Sequence, residues 1–285
     1  MRLLVTADLH FNHGRSQKLA RDAIDQINAA DADVLLIVGD TATADENQLE
    51  TVLPLICFPG PKLFLCGNHE LWSRRDDSHQ IFTDELPRRV REHGWHWLEE
   101  DPFVVDDVAI VGSVGWYDYS YAPESLNVPY RFYAAKVSPG AAAHLTAHQH
   151  LLAGDDVSPE AHEIVARWND GKFIKLHRSD ETFLEERLAG LAQSLARVPA
   201  GKRIVAGVHH IPFSQLLPPR HTPAWDFARA YLGSDRIGQL LLADPRITHV
   251  FCGHSHFAAD ARIHHLHAIN IGSGYRQKLF WSGDV

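Results

Sequence analysis

Short apolar runs that end abruptly in a polar cluster recur along this chain, and that pattern constrains the fold more than any other feature. The clearest run, residues 62–66, is typical of a buried strand and is followed directly by Gly67-Asn68-His69-Glu70. A glycine at this point lets the backbone turn sharply where a side chain would clash. Because ligands bind beside the carboxyl ends of strands in open α/β sheets, the cluster predicts a functional site at that edge.

Four other apolar runs end in the same manner. Their polar clusters are Asp8-Leu9-His10, Gly39-Asp40, His209-His210 and Gly253-His254-Ser255-His256. In both the first and the last cluster, two donors stand two residues apart, so on an extended segment their side chains can point the same way. The five clusters together favour one shared site over five unrelated loops.

The order of the apolar runs predicts the fold class. Strands are predicted at residues 2–7, 34–38 and 62–66, with helices at 16–30 (Ser16 as N-cap), 45–58 and 78–93 between and after them. This alternation is typical of an α/β sheet layered between helices. Runs at 95–98, 103–105 and 108–112 surround the turn pair Asp106-Asp107 and give this part an antiparallel, α+β character. The remaining predicted elements are helices at 183–196 and 234–243 and strands at 203–208, 249–252, 262–268 and 275–281.

Residues 116–182 differ from the rest of the chain in pattern and composition, because their apolar periodicity is poor and aromatic, proline and histidine residues are frequent. We interpret them as a cap-like insertion over the polar edge, within a single domain that spans residues 1–285. Trp116, Tyr117 and Tyr119 open the insertion directly after a predicted strand. They are candidates for stacking on a ring of the substrate, and packing as an anchor of the cap is the alternative.

Charge and cysteine content narrow the class of protein. The net charge of −9 argues against broad nucleic-acid binding, although bound cations can still hold an anionic substrate. The three cysteines lie in or beside apolar runs without metal-ligand spacing, which is typical of buried thiols in a reducing compartment. The first residues form a predicted strand rather than a signal peptide, and no apolar run is long enough to span a bilayer. We therefore expect a cytoplasmic protein.

The polar clusters supply oxygen and imidazole nitrogen donors without a thiolate. These donors are Asp8, His10, Asp40, Asn68, His209, His254 and His256. Such a set suits first-row ions such as Mn, Fe, Co, Ni or Zn better than Ca or Mg. Seven donors suit two neighbouring ions that share a carboxylate. Two ions about 3.5–4 Å apart can clamp the attacking and leaving oxygens of a phosphoryl displacement, and a hydroxide between them is an available nucleophile.

The sequence contains the blocks D-x-H, G-D, G-N-H-E, H and G-H-x-H in this order. This series resembles the motifs of the calcineurin-like metallophosphoesterase superfamily. The resemblance implies a four-layer α/β/β/α sandwich of two mixed sheets flanked by helices, with two divalent or mixed-valence ions, Mn or Fe favoured. It implies that Asp40 bridges the ions, that His69 protonates the leaving oxygen and that Glu70 orients His69. The other implied ligands are Asp8, His10 and His256 for one ion and Asn68, His209 and His254 for the other.

The sequence leaves several assignments open. His209 follows the strand register, whereas His210 fits an H-x-P spacing, so both are candidates for the fourth block. Many members carry a second Asp soon after the G-D block, and this chain does not. His13 lies beside the first block and is a candidate for contact with a substrate phosphate. We interpret His144, His148 and His150 as solvated or packing residues, with a further metal site as the alternative. His264, His265 and His267, on a late strand, are interpreted as surface residues. Arg74 and Arg75 are interpreted as solvated charges, with binding of an anionic group as the alternative.

Three functions are consistent with these residues. The first is a hydrolase of small or medium-sized phosphate monoesters or diesters, which the complete donor set and the acidic charge favour. The second is a nuclease of the same superfamily, for which the chain lacks a Lys/Arg-rich tract. The third is a non-catalytic scaffold, which lost metal ligands would favour, but none is missing. The sequence leaves the oligomeric state and the substrate open.

Overall fold

The computed structural model describes residues 1–74 and 77–285, apart from the side chain of Glu46. Arg75, which the sequence suggested as a solvated charge, lies outside the described residues. The strands of the described chain are β1 Arg2–Thr6, β2 Val34–Val38, β3 Lys62–Leu65, β4 His96–Trp97, β5 Phe103–Val105, β6 Val108–Ser113, β7 Arg203–Val208, β8 Ile247–Cys252, β9 Ala259–Ile263, β10 Leu266–Asn270 and β11 Trp281–Asp284.

The strands form two mixed sheets. In the first, the order is β11-β1-β2-β3-β4, with β1 to β4 parallel and β11 antiparallel at one edge. In the second, the order is β5-β6-β7-β8-β10-β9, with β5 and β9 antiparallel at the two edges and the inner strands parallel. The carboxyl ends of the parallel strands in each sheet therefore share one edge, as the sequence pattern predicts.

Alternate side chains of the central strands explain why the two sheets pack face to face. Leu3 and Leu36 of the first sheet belong to the same buried apolar cluster as Ile110 and Val205 of the second. Leu35, on the opposite face of β2, packs instead in the core that the helices share. Because side chains alternate between faces along a strand, this division places sheet against sheet and helices outside. The two mixed sheets flanked by helices confirm the predicted fold class.

Helices cover the outer faces of the sheets. The first, α1, buries its apolar stripe, as the helical spacing of that stripe predicts. The α-helices of the described chain are α1 Gln17–Asn28, α2 Gln48–Val52, α3 Asn68–Leu71, α4 Ser78–Gln80, α5 Leu86–Glu92, α6 Tyr130–Ala134, α7 Pro139–Ala143, α8 Pro159–His162, α9 Asp170–Phe173, α10 Asp180–Arg197, α11 Pro223–Ala228 and α12 Asp235–Leu242. Within the described residues, every helix is too short or too polar to cross a bilayer.

Two predicted helices differ in detail from the structure. Residues 45–58 form 3₁₀ turns at Asp45–Asn47 and Leu53–Leu55 on either side of α2. Asn47, with φ of 54°, separates the first turn from α2, and Pro54 lacks the N–H that a continuous helix needs. The predicted helix at 78–93 contains a π-helical turn at Ile81–Glu85 between α4 and α5. Ser16 precedes α1 but does not cap it, since its hydroxyl donates to the Leu9 carbonyl at 2.8 Å.

The C-terminal part departs further from the sequence prediction. The single strand predicted at 262–268 is two antiparallel strands, β9 and β10, joined by a turn in which His264 has a positive φ of 52°. Residues 275–280 form a loop, and the strand begins only at Trp281. Cys66 and Cys252 are buried as expected, but Cys57 is exposed, which corrects the prediction of three buried thiols.

The aromatic start of the insertion is buried. Trp116 and Tyr117 have no exposed surface and Tyr119 has 7%, so burial favours the alternative in which these side chains anchor the segment over the one in which they stack on a substrate. The buried Asp180 carboxylate holds two of them, because it accepts hydrogen bonds from the Trp116 indole at 2.8 Å and from the Tyr119 hydroxyl, while the Tyr117 hydroxyl donates to Asp170 at 3.0 Å. Lys136 pairs with the Asp180 carboxylate. A buried carboxylate held by several donors therefore fixes this segment in the core.

Candidate metal centre

The seven predicted donors converge at the carboxyl ends of the strands. Six of them are buried, and His256 is half-buried. Five have backbones in the left-handed region, with φ of 54° at Asp8, 44° at His10, 55° at Asp40, 70° at His254 and 56° at His256. Asp and His tolerate this region better than most side chains, but it still costs about 1–3 kcal/mol per residue. The loops therefore hold these side chains in place against a local preference.

Two glycines make the close approach of the loops possible. A Cβ on Gly67 would lie 2.1 Å from an Asp40 carboxylate oxygen and 2.7 Å from the His209 ring. Gly39 has φ of +80°, and a Cβ there would lie 2.4 Å from Nδ1 of His209. The glycines of the G-D and G-N-H-E blocks are thus needed for space as well as for the turn.

The donors form two groups that meet at Asp40. Asp8, His10 and His256 offer ligand atoms within 4.8 Å of one another, and Asp40, His209 and His254 do the same. The Asp40 Oδ2 lies 3.7 Å from Nε2 of His10, whereas its Oδ1 lies 3.4 Å from Nε2 of His209. Each oxygen of the one carboxylate therefore faces a different group, which is the arrangement that a bridging ligand requires.

Asn68 completes the second group. Its side-chain oxygen lies 3.3 Å from Nε2 of His209, while its amide donates to Asp170 at 2.8 Å. Because the amide nitrogen is held by a carboxylate, the oxygen is left to face the donors. This geometry supports the assignment of Asn68 to the same ion as His209 and His254.

The arrangement of imidazole nitrogens fits a cation in the second group. Nδ1 of His209 lies 2.9 Å from the Val38 carbonyl, and Nε2 of His254 lies 3.1 Å from the Tyr231 carbonyl, so each of these nitrogens carries the proton. The remaining nitrogens, Nε2 of His209 and Nδ1 of His254, face each other at 3.2 Å. Two lone pairs at this distance repel unless a proton or a metal ion lies between them. Second-sphere carbonyls on the outer nitrogen are also typical of metal-bound histidines.

Protonation of the donors is consistent with this fit. Burial holds the pKa of His10 and of His254 well below the ordinary histidine value. Both rings are therefore neutral, and each has a nitrogen lone pair that can coordinate a metal ion. Burial also acts to lower the pKa of His209, but the Asp40 carboxylate raises it to about 9. Although burial opposes it, the neighbouring histidines hold the pKa of Asp40 well below its usual range. Metal binding would replace the proton of His209 with a metal–nitrogen bond.

The structure favours His209 over His210 as the ligand of the fourth block. His209 belongs to the donor group around Asp40, and His210 does not belong to any such group among the described residues. Nδ1 of His210 lies 2.8 Å from the Val114 carbonyl, and its ring packs 4.8 Å from Trp116, centroid to centroid. Burial, followed by the His209 charge, lowers the pKa of His210 to about 3. His210 therefore packs behind the site as a neutral ring.

Glu70 has a different environment from the one predicted. Its two carboxylate oxygens accept backbone N–H groups from Gly67, Asp40, Thr41 and Ala42 at distances of 2.6–3.0 Å. No hydrogen bond joins Glu70 to His69 in the described part of the chain. Burial and Asp40 raise the pKa of Glu70 to about 7, against the lowering effect of these N–H groups. Glu70 thus holds the loops after β2 and β3 together rather than orienting His69 directly.

Other residues position His69. Its ring stacks on Trp72 at 3.7 Å between centroids, and its backbone N–H donates to Asp40 at 2.9 Å. Its Nε2 lies 3.5 Å from the Tyr275 hydroxyl and 3.8 Å from Asp40 Oδ2. The ring also lies within ligand distance of His10 and Asp40, so geometry alone does not separate an acid from a ligand at this position.

Sequence reasoning missed the residues that surround the donors, above all Asp170. This carboxylate is fully buried and accepts hydrogen bonds from four side chains at 2.7–3.0 Å, namely Asn68, Trp72, Tyr117 and Trp168. It belongs to the insertion, about a hundred residues from Asn68 along the chain. An acidic residue in an aperiodic segment carries no local signal of such a contact.

Tyr275 and Lys278 were also missed, although a signal for them exists. Tyr275 stacks 4.4 Å from the His10 ring, and Lys278 donates to the Asp8 carbonyl at 2.7 Å. Both lie in the loop after β10, which is parallel to β8 and therefore ends at the same edge. Gly272-Ser273-Gly274-Tyr275 is another polar cluster after an apolar run, so the rule that found the other clusters applies to it.

Two cavities open above the donors. One, of about 250 Å³, is lined by Asp40, Asn68, His69 and His254 and is roofed by Arg167, Trp168 and Asn169 of the insertion and by Trp225. Its neighbour, of about 550 Å³, shares His256, Asn169 and Tyr275 with it and reaches His13. The predicted contact of His13 with substrate stays a prediction. His144, His148 and His150 form no candidate metal group among the described residues.

Comparisons with known proteins concern the family and the fold of the chain. A family model described as calcineurin-like phosphoesterase matches residues 1–258. The fold is similar to that of a phosphopantetheinyl hydrolase from Mycobacterium tuberculosis, with a TM-score of 0.68 and 21% identity over 96% of this chain and 89% of that one. A dimetal phosphatase from Danio rerio covers 97% of this chain and 88% of its own, with 13% identity and a TM-score of 0.47. A search of curated proteins found no match.

Asp40→Ala should abolish binding of both ions, because one carboxylate serves both groups. Elemental analysis of metal-supplemented protein should approach two first-row ions per chain for the unmodified protein and fall close to zero for the variant. Asp260→Ala is the matched control, since Asp260 pairs with His267 on an edge strand outside the site. Full metal content in Asp40→Ala would contradict the bridging assignment.

Glu70→Gln should destabilise the folded protein rather than act on His69. Glutamine offers one oxygen and places an NH₂ group against backbone donors, leaving buried N–H groups unpaired at about 1–3 kcal/mol each. Urea unfolding of metal-free protein measures this loss. Glu92→Gln, which removes an exposed pair with Arg88, should change the free energy of unfolding by no more than about 0.5 kcal/mol. Equal stability of Glu70→Gln and the unmodified protein would refute the role in holding the loops.

Proposed function

The chain belongs to the calcineurin-like phosphoesterase family, and on that basis we propose that it is a metal-dependent hydrolase of phosphate esters of small or medium size. The observation that carries the proposal is the position of Asp40, whose two carboxylate oxygens face two separate donor groups beneath one cavity. The family is one of dinuclear metal enzymes. When bound, two ions supply an activated water and neutralise the charge that develops on the phosphate.

The chain's own residues would divide the remaining work. Asp8, His10 and His256 would hold one ion, and Asn68, His209 and His254 the other, with Asp40 shared. The first-row ions that suit this mixed set include Mn and Fe, which we favour, and Zn, Co and Ni. Lys278, whose ammonium donates to the Asp8 and Gly274 carbonyls, would keep the loop after β10 against the first group.

His69 is suited to deliver the proton that the leaving oxygen needs. His69 is 8% exposed and lines the cavity of about 250 Å³, so its ring can contact a bound ester. Stacking on Trp72 and the backbone bond to Asp40 fix the ring, which general acid catalysis requires. Tyr275, within 3.5 Å of Nε2, is placed to hold the orientation of that nitrogen.

The size of the cavity supports small esters over long polymers. The roof formed by Arg167, Trp168 and Asn169 restricts the space above the donors. A nuclease would need an extended basic groove to bind the nucleic-acid backbone, and the chain's net charge of −9 gives the nuclease alternative less support. The likeness to the phosphopantetheinyl hydrolase concerns the fold at 21% identity and does not carry its substrate to this chain.

His69→Ala should keep its metal content and lose turnover by about 10²–10⁴-fold on an alkyl phosphate, the range for loss of a general acid. The loss should shrink for 4-nitrophenyl phosphate, whose leaving group departs without a proton. Steady-state kinetics with metal analysis of the same preparation measures both effects. His144→Ala, on the exposed surface of the insertion, is the control and should leave kcat/KM unchanged.

Two results would count against this role. Loss of an ion in His69→Ala would make His69 a ligand rather than an acid. An equal loss of turnover on both substrates would indicate that His69 binds the phosphate instead of protonating the leaving group.

A further inference from the structure

The larger of the two cavities has a consistently basic lining. Of its residues, the charged or titratable ones are His13, Arg15, His256, Tyr275 and Arg276, and its neutral polar ones include Asn169 and Gln277. No carboxylate lines it among the described residues. The protein as a whole carries 36 acidic against 27 basic residues, so a cavity with this lining departs from the general charge of the chain.

The arginines of this cavity lack the partners that most arginines of the protein have. Twelve arginines in residues 1–74 and 77–285 pair with a carboxylate. The guanidinium groups of Arg15 and Arg276 have no ion pair, hydrogen bond or ring contact within the described residues, and the same is true of Arg167 in the roof of the neighbouring cavity. Among the described residues, Arg262 on the edge strand β9 also has a guanidinium group without such a contact. The unpaired guanidinium groups thus gather around the site.

The larger cavity, with the basic lining, is continuous with the smaller cavity above the metal donors. Asn169, His256 and Tyr275 line both, and His256 is itself a member of the first donor group. The centroid of the Tyr275 ring lies 4.9 Å from that of the His256 ring and 4.6 Å from that of the His13 ring. A molecule with its phosphate at the donors and its remainder over Tyr275 would bring that remainder to Arg15 and Arg276.

We propose that this cavity binds a second anionic group, a phosphate or a carboxylate, of the ester whose scissile phosphate lies at the metal centre. The proposal rests on the function proposed above and narrows its substrate class to doubly anionic esters. Guanidinium groups are suited to this because their donors match the planar fork of a carboxylate or phosphate. Arg15 and Arg276 come from the loops after β1 and β10, so the second anion would bridge two loops that also carry the site.

The test compares esters that share a primary alkyl leaving group and differ at the far end. These are alkyl monophosphates, ω-carboxyalkyl phosphates and alkanediol bisphosphates with chains of three to six carbons. The unmodified protein should prefer a doubly anionic ester over its matched monophosphate by about tenfold or more in kcat/KM at low salt, since charged hydrogen bonds are lost without the second anion. Comparing the carboxylate and phosphate series identifies which anion the cavity takes.

The double variant Arg15→Ala/Arg276→Ala should reduce this ratio to near one. Arg262→Ala is the matched control, because it removes an unpaired arginine away from both cavities, and it should keep the ratio. An unmodified protein without the preference, or a double variant that retains it, would overturn the proposal. A single-stranded oligonucleotide cleaved faster than every small ester, with the same dependence on Arg15 and Arg276, would overturn the assignment to small molecules.

A binding measurement separates failure of this proposal from failure of the proposed function. Calorimetric titration of the metal-loaded protein with alkane bisphosphonates and matched alkylphosphonates gives the same ratio without turnover. Protein that hydrolyses no ester but binds the bisphosphonates about tenfold tighter would support the cavity and refute the hydrolase. Equal affinity for both series would refute the cavity, whatever the activity.

Discussion

The site depends on one buried carboxylate that is not itself a candidate ligand. Glu70 accepts four backbone N–H groups from the loops after β2 and β3, and these loops carry Asp40 and Asn68. Without an acceptor of this kind, the N–H groups of two tight loops would be buried unpaired, at a cost of about 1–3 kcal/mol each. These four hydrogen bonds to Glu70 therefore fix the position of Asp40, and Asp40 in turn fixes the two donor groups relative to each other.

The buried carboxylates at the site and around it are of two kinds. Glu70, Asp170 and Asp180 are surrounded by N–H and O–H donors and serve as anchors for loops and for the insertion. Asp8 and Asp40 face imidazole rings, and their remaining acceptor capacity points into the site. A buried charge must be paired, so the first kind is satisfied by the chain and the second would be satisfied by a bound cation. The site is suited to bind cations because Asp8 and Asp40, unlike the other three carboxylates, keep acceptor capacity for a metal ion.

Features that arise from local pattern can be predicted from the sequence. Strands β2 and β5 match their predicted bounds, and the seven donors converge because each lies beyond a strand whose carboxyl end is at the shared edge. The contacts of Glu70, Trp116 and Tyr119 do not follow from local pattern, because their partners lie far away in sequence. Asp170 could not be predicted for the same reason. Tyr275 was missed because residues 275–281 were assigned to a strand, whereas residues 275–280 form a loop after β10, which ends at the same edge.

Anomalous diffraction from crystals of the unmodified protein grown with manganese would locate the ions relative to Asp40. We expect two peaks on opposite sides of the Asp40 carboxylate, one among Asp8, His10 and His256 and the other among Asn68, His209 and His254. A single peak, or two peaks of which only one contacts Asp40, would contradict this expectation.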